Sequence, residues 1–185
     1  MAISYRAPVE DMQFLLRDVF RLNDQNTLLQ NQECSDEIIQ MVLEEMAKFS
    51  ERTLQPLNTS GDQQGCTLVD GKVATPTGFK AAYRRYIEGG WVGMTASPSI
   101  GGQGLPNALN SAVTEMVTAA NPGFGMYTGL NKGAIAAIKL AGSAEMQSTY
   151  LPKLVSGEWA ATMNLTESHA GTDLGLLRTK AIAQE

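Results

Sequence analysis

The feature that most constrains the fold of this chain is the spacing of its apolar residues. Between Pro8 and Leu22 they recur three or four positions apart, as on the buried face of a helix. They are Met12, Leu15, Leu16, Val19 and Phe20. The same pattern follows Ser35, a favourable helix N-cap that precedes two acidic residues suited to the positive end of a helix dipole. A chain with this spacing over most of its length is expected to be mainly α-helical.

Helix-breaking residues divide the periodic sequence into about six helices. The helix that begins at Ser35 is predicted to end at Pro56, because proline lacks the N–H that a helix interior requires. Asn121-Pro122 is predicted to separate two further helices. The later helices are predicted over residues 76–88, 106–120, 125–140, 143–150 and 152–156.

Two short stretches interrupt this helical pattern. CTLVDGKVAT, residues 66–75, predicts a small hairpin with a type I′ turn at Asp70-Gly71. GGWVGMTASPSIGGQGLP, residues 89–106, predicts a tight loop. Its glycines do not follow the GxGxxG spacing, and no strand precedes them, so they do not predict a dinucleotide site.

Strand-like sequence is confined to the end of the chain. It occurs in EWAATMNL, residues 158–165, and in LRTKAIA, residues 177–183. Helices followed by strands are typical of separate layers or domains. We therefore predict a helical domain over residues 1–157 and the beginning of a β-domain over residues 158–185.

Charge and cysteine content narrow the classes of function. The 185 residues carry 19 acidic and 14 basic side chains, and the basic residues are scattered. A nucleic-acid surface is disfavoured, because phosphate binding needs concentrated positive charge. Cys34 and Cys66 lack CxxC spacing and histidine neighbours, so no metal site or disulfide is predicted. With no signal peptide and no apolar run of about 18 residues, we expect a cytoplasmic protein without a membrane span.

The chemically most distinctive segment is MNLTESHAGTDLGLLRTKA, residues 163–181. Thr166 and Ser168 offer hydroxyls and backbone N–H groups, and Gly171 and Thr172 follow with little side-chain bulk. Such a loop lets backbone donors approach a flat or anionic ligand, such as a heteroaromatic ring edge or a pyrophosphate. A hydroxyl-rich turn between two strands, held by local hydrogen bonds, explains the same residues. The residues alone leave both interpretations open.

Three segments together resemble the sequence signatures of the acyl-CoA dehydrogenase family. Residues 163–181 resemble its flavin-binding signature, residues 89–106 its GGQG loop, and residues 150–167, YLPKLVSGEWAATMNLTE, the segment that leads into the flavin site. YRAPVEDMQFLLRDVF, residues 5–20, resembles the N-terminal extension of the longer bacterial subgroup that includes the methylmercaptopropionyl-CoA dehydrogenases. The resemblance implies a complete N-terminal helical domain followed by only the first strands of the middle β-domain. The family's C-terminal four-helix bundle lies outside this chain.

The resemblance also implies a reaction and a set of contacts. In this family a carboxylate removes the α-proton of an acyl-CoA, a β-hydride passes to FAD, and electron-transferring flavoprotein accepts the electrons. The full-length protein is expected to be a homo-oligomer. The positions that match flavin contacts are Met163, Leu165, Thr166, Gly171 and Thr172. Thr172 also matches a residue that lies beside the acyl-CoA substrate.

The other residues of the signature are expected to have structural roles. Glu167 and Asp173 match family carboxylates, which we interpret as ordering the loop. His169 stands at a variable position and is interpreted as a loop residue. Ser168 replaces the usual Pro, and Asn164 replaces the usual Cys or Ala.

No residue of this chain matches the family's catalytic glutamate, which belongs to the C-terminal helical domain. A general base must lie within hydrogen-bonding reach of the proton it removes. We therefore assign no catalytic and no metal-binding residue, and we expect the 185-residue chain by itself to be inactive. Two alternatives remain: an acyl-CoA oxidase of the same superfamily, and a non-catalytic dehydrogenase-like module that binds a partner protein or nucleic acid.

Overall fold

The computed structural model describes residues 4–24 and 34–183, in which seven α-helices and one two-stranded antiparallel sheet form. The helices are α1 (Val9–Phe14), α2 (Asp36–Phe49), α3 (Gln55–Gln64), α4 (Phe79–Glu88), α5 (Asn107–Ala120), α6 (Pro122–Ala141) and α7 (Ala144–Val155). The strands are β1 (Thr67–Val69) and β2 (Lys72–Ala74). The prediction of a mainly α-helical chain with one small hairpin is confirmed.

α2 buries the face that its sequence predicts. Ser35 caps the helix, and its Oγ accepts a hydrogen bond from the backbone N–H of Ile38 at 3.4 Å. The buried residues lie three or four positions apart or adjacent. They are Ile39, Val42, Leu43, Met46 and Ala47. α1 packs against α2, buries Met12, and continues into a π-helical segment, Leu15–Val19.

The predicted helix end at Pro56 is wrong. The chain stays helical through a π-helical segment, Ser50–Leu54, and continues directly into α3, where Pro56 occupies the first turn. In continuous helical chain a proline leaves one carbonyl of the preceding turn without its N–H donor. The π-helical segment shifts the hydrogen-bond register immediately before the proline.

The hairpin forms as predicted, with Thr67 opposite Ala74. Asp70 and Gly71 have φ values of 50° and 72°, and a type I′ turn requires positive φ at both positions. The turn residues therefore determine the hairpin locally.

α4 begins at Phe79 and not at Pro76 as predicted. Gly78, which precedes the helix, has a φ of 92°. A right-handed helix cannot include a residue in this left-handed region, so the segment that starts at Pro76 is a turn.

The glycine-rich loop, residues 89–106, is tightly folded, as predicted. The backbone N–H of Gln103 donates to the carbonyl of Gly93 at 3.0 Å, which brings the two halves of the loop together. Gly102 is required for this approach, because a Cβ at this position would overlap the carbonyl oxygen of Ala96.

α5 and α6 double back at Asn121, as the Asn121-Pro122 pair predicts. The Asn121 side chain is 2% exposed, and its Oδ1 accepts from the N–H of Phe124 at 3.0 Å. Its Nδ2 donates to the carbonyl of Leu54 at 3.2 Å, which ties this corner to the π-helical segment before α3. α6 begins at Pro122, earlier than the predicted start near Gly125.

α7 is one continuous helix, whereas the sequence predicts two. Ser143 caps it as predicted, with Oγ accepting from the N–H of Met146 at 3.2 Å. Pro152 lies in its last turn, where it removes one backbone hydrogen bond, and the helix still continues to Val155. Gly157 then ends the helical path with a φ of 77°.

The two strands predicted near the end of the chain do not form. Residues 158–165 and 177–183 have no strand partner, and between them an isolated bridge joins Glu167 and Ala170. A strand is held by hydrogen bonds to a neighbouring strand, and the described part of the chain provides none for these segments. The domain boundary after residue 157 stays a prediction.

A helix that crosses a lipid bilayer needs about 20 predominantly apolar residues. Within residues 4–24 and 34–183, no helix combines the length and apolar character that crossing would require.

Candidate functional site

Asn131 joins the helical layer to the segment that follows α7. This side chain lies on α6 and is 4% exposed. Its Nδ2 donates to the carbonyls of Leu154 and Trp159 at 3.4 and 3.3 Å, and its Oδ1 accepts from the N–H of Ala161 at 2.5 Å. One buried amide therefore positions the start of the segment 163–181.

Residues 163–166 present both apolar side chains and unpaired backbone donors. The side chains of Met163 and Leu165 are 59% and 43% exposed. The backbone N–H groups of Met163, Leu165 and Thr166 donate no hydrogen bond to any described residue. Met163 lies against α6, with its Cε 3.6 Å from the position that a Cβ of Gly133 would take.

Glu167 holds the turn that follows. The backbone groups of Glu167 and Ala170 exchange two hydrogen bonds of 3.1 and 3.0 Å. The Glu167 carboxylate accepts from the backbone N–H groups of Arg178 and Thr179 at 3.1 and 2.9 Å. The Thr179 hydroxyl, followed by these two N–H groups, lowers the pKa of Glu167, because each donor stabilises the charged form. These contacts agree with the predicted structural role of Glu167.

The residues after the turn fold back on it. A Cβ at Gly171 would lie 3.8 Å from Cγ2 of Thr166, so these two predicted site residues are neighbours. The side chain of Thr172 is exposed. Asp173 accepts from the backbone N–H of Gly175 at 3.1 Å and so orders the loop, as predicted.

His169 also belongs to the loop. Its Nε2 lies 3.1 Å from the carbonyl oxygen of Leu176 and 3.3 Å from Oε2 of Glu167. These contacts link the turn to the short 3₁₀ segment at Leu174–Leu176 and agree with the interpretation of His169 as a loop residue.

This surface fits a flat ring that has acceptor atoms along its edge. Met163 and Leu165 offer an apolar area, and the free backbone N–H groups offer donors. The carboxylates of Glu167 and Asp173 are occupied by the backbone of the loop. The residues present therefore fit the isoalloxazine ring that the sequence signature implies. Among the described residues, no three His, Cys, Asp or Glu side chains lie together in a way that could hold a metal ion.

A cavity of about 650 Å³ lies elsewhere, between α3, the hairpin, α4 and the first turns of α6. Aromatic side chains, including Phe79, Tyr83 and Tyr127, form much of its wall. None of the predicted site residues lines it. We therefore place the candidate site at residues 163–172, where the unpaired donors lie.

Sequence reasoning missed Asn131. The available signal was an amide within the apolar sequence of α6, because a buried polar side chain requires hydrogen-bond partners. Those partners lie up to 30 residues further along the chain. Nothing in the local sequence identifies them.

Comparison with known proteins decides the family. Residues 36–158 match the model of the acyl-CoA dehydrogenase N-terminal domain. This chain belongs to the acyl-CoA dehydrogenase family. The 3-methylmercaptopropionyl-CoA dehydrogenase of Ruegeria pomeroyi is 36% identical over 99% of the chain and 31% of the relative. The butyryl-CoA dehydrogenase of Syntrophomonas wolfei is 32% identical over 96% of the chain and 30% of the relative. The chain thus spans about a third of the length of these acyl-CoA dehydrogenases.

Solved structures share the helical fold of this acyl-CoA dehydrogenase domain. The glutaryl-coenzyme A dehydrogenase in complex with glutaryl-CoA superposes with a TM-score of 0.64 and 22% identity, over 77% of this chain and 34% of that chain. A chain from a structure described as the electron transferring flavoprotein of Acidaminococcus fermentans gives a TM-score of 0.65 and 22% identity, over 79% of this chain and 36% of that chain. At this identity the likeness concerns the fold alone, and it confirms the predicted fold class.

Proposed function

We propose that this chain forms the N-terminal helical domain, and the beginning of the flavin-binding domain, of an FAD-dependent acyl-CoA dehydrogenase. The observation that carries the proposal is the exposed surface of Met163, Leu165 and Thr166, whose backbone donors are unpaired. Family membership supports the reaction class, and the turn held by Glu167 supports a pre-formed cofactor loop.

In this proposal the predicted site residues divide the contacts with FAD. Met163, Leu165 and Thr166 contact the flavin ring, and Gly171 and Thr172 lie beside the pyrophosphate. Thr172 also contacts the acyl-CoA substrate. When bound, FAD supplies the acceptor for a hydride from the β-carbon of the acyl group. The apolar side chains exclude water from the ring, and Gly171 keeps the approach to the backbone open.

The cofactor site is tested by measuring the flavin content of the full-length protein. Gly171→Leu should lower FAD affinity by about tenfold or more, because the new side chain occupies the proposed pyrophosphate approach. Gly123→Leu makes the same exchange at the exposed start of α6 and should leave the flavin content unchanged. Equal flavin retention by both variants would contradict the site.

The acceptor and the reaction are tested with the same protein. Acyl-CoA-dependent reduction of electron-transferring flavoprotein is the expected result, in a cytoplasmic homo-oligomer. Release of hydrogen peroxide under air would instead identify an acyl-CoA oxidase. A protein that holds FAD without reacting with any acyl-CoA would favour the non-catalytic module.

The 185-residue chain by itself is proposed to be inactive, because the catalytic carboxylate is assigned to the family's C-terminal domain. The purified chain, supplied with FAD and acyl-CoA, should not reduce an artificial electron acceptor. Acyl-CoA-dependent reduction above the rate with free FAD would contradict this part of the proposal.

A further inference from the structure

A half-buried lysine lies between α5 and α6, with no counter-ion in the part of the chain that the structure describes. Lys132 Nζ donates to Oδ1 of Asn110 at 2.9 Å and to Oγ1 of Thr114 at 3.2 Å. Both acceptors are neutral. Across residues 4–24 and 34–183, no carboxylate forms an ion pair with Lys132.

The surrounding helices do not balance this charge. α6 contains no acidic residue, and the single carboxylate of α5, Glu115, acts on Tyr5. Burial lowers the pKa of Lys132, and no neighbouring anion opposes that effect. An ammonium that is partly withdrawn from water is unfavourable without an anion. Lys132, Asn110 and Thr114 therefore form a cationic cluster that has no acidic partner among the described residues.

Part of the cluster is exposed at the surface of the two helices. Thr114 is exposed, and a Cβ at Gly129, one turn before Lys132, would meet no atom within 4 Å. Asn131 and Gly133 flank the lysine and contact the segment that leads into the site. The same turn of α6 therefore carries the lysine and positions the proposed flavin surface.

We propose that Lys132, with Asn110 and Thr114, binds a carboxylate at the distal end of the acyl chain and thereby selects acyl-CoA substrates that carry one. The inference rests on the proposed function. The amide and the hydroxyl orient the ammonium but leave its charge unneutralised, so a charge-assisted hydrogen bond to the substrate remains available. The phosphates of coenzyme A are another source of anionic oxygen, and the experiment below distinguishes them from the distal carboxylate.

The experiment measures binding to the full-length protein by isothermal titration calorimetry, with two acyl-CoA series of matched length. One series ends in a carboxylate, from succinyl-CoA to adipyl-CoA, and in the other an isopropyl group replaces that carboxylate. Lys132→Met should weaken binding of the carboxylate series by about 10- to 100-fold and change the isopropyl series by less than about twofold. Lys132→Arg should retain most of the preference.

Lys139→Met is the matched control, because Lys139 is an exposed lysine on the same helix. It should leave both series unchanged. Thermal unfolding of each variant verifies the fold, and Lys132→Gln replaces the methionine variant if the latter does not fold.

Three results would overturn the inference. Equal weakening of both series by Lys132→Met would assign the anion to the coenzyme A phosphates or the lysine to packing alone. An unchanged preference in that variant, or no preference in the unsubstituted protein, would also contradict it. Because the readout is the relative affinity for the two series, a protein that prefers carboxylate ligands but oxidises none would contradict the proposed function only.

Discussion

Replacing Asn131 with alanine should release the segment that carries the candidate flavin site. The side chain is 4% exposed and joins α6 to Leu154, Trp159 and Ala161 through three hydrogen bonds. The first partner lies at the end of α7, and the other two precede residue 163. The substitution therefore removes the polar connection between the helical layer and the proposed cofactor surface.

The expected magnitude follows from these three contacts. The two bonds donated by Nδ2, at 3.4 and 3.3 Å, are long and contribute less than the 2.5 Å bond accepted from Ala161. A typical hydrogen bond contributes about 1 kcal/mol, and a buried group left unpaired costs about 1–3 kcal/mol. We expect Asn131→Ala to lower the free energy of unfolding by about 2–3 kcal/mol.

Urea unfolding of the purified chain measures this loss, and hydrogen exchange locates it. The amide of Ala161 should lose its protection in the variant under native conditions, because it has no other acceptor. Asn164→Ala is the control: its side chain is exposed and makes one 3.4 Å hydrogen bond, to Thr162, so the change should stay within about 0.5 kcal/mol. A loss below about 0.5 kcal/mol for Asn131→Ala, or continued protection of the Ala161 amide, would refute the reasoning.

Three further predictions concern a glycine and two titrating groups. Gly157→Ala should lower the free energy of unfolding by about 2–4 kcal/mol, because φ is 77° and the new Cβ overlaps Ile87. Gly101→Ala should lower it by about 1–2 kcal/mol, because φ is 88° but the space around the new Cβ is open. Equal losses in urea unfolding would contradict the steric part. Since the pKa of Glu167 is lowered, its loop contacts are stable above the ordinary value of 4.5 and are lost as pH falls through the lowered pKa. The hydrogen-exchange protection of the Arg178 and Thr179 amides should decrease in that pH window, and Glu167→Gln should abolish this pH dependence. A pH dependence that survives in Glu167→Gln would show that another group causes it. Burial raises the pKa of Tyr86 to about 12 from 10.0. The contribution of the neutral Tyr86 to the free energy of unfolding is therefore complete below pH 10 and is lost as pH rises towards 12. The loss should reach about 2–3 kcal/mol and be absent in Tyr86→Phe, as urea unfolding between about pH 9 and 12 would show.

Local signals predicted those features whose partners are close in sequence. Ser35 and Ser143 cap helices because each side chain reaches an N–H three residues later. Asp70-Gly71 determines its turn through backbone conformation alone. Glu167 was correctly interpreted as ordering the loop, because the family signature contains both the carboxylate and the residues that donate to it.

The same local rules were wrong where their effect depends on position. Proline was predicted to end a helix at Pro56 and to begin one at Pro152, yet each lies within continuous helical chain. Pro56 directly follows a π-helical segment, where the hydrogen-bond register shifts, and Pro152 removes one hydrogen bond in a last turn. The periodicity of apolar residues does not predict where a π-helical segment shifts the hydrogen-bond register of a helix.

The sequence by itself determined the helical class, the hairpin, the family and the residues proposed to contact flavin, because periodicity, caps and motifs are local. Only the tertiary structure decided that Asn131 anchors the site and that Lys132 reaches Asn110 on the preceding helix. It also showed that the strand-like segments have no partner among the described residues. The physical reason is common to all three: hydrogen bonds between distant segments depend on which surfaces meet, and the spacing of residues along one segment does not specify that.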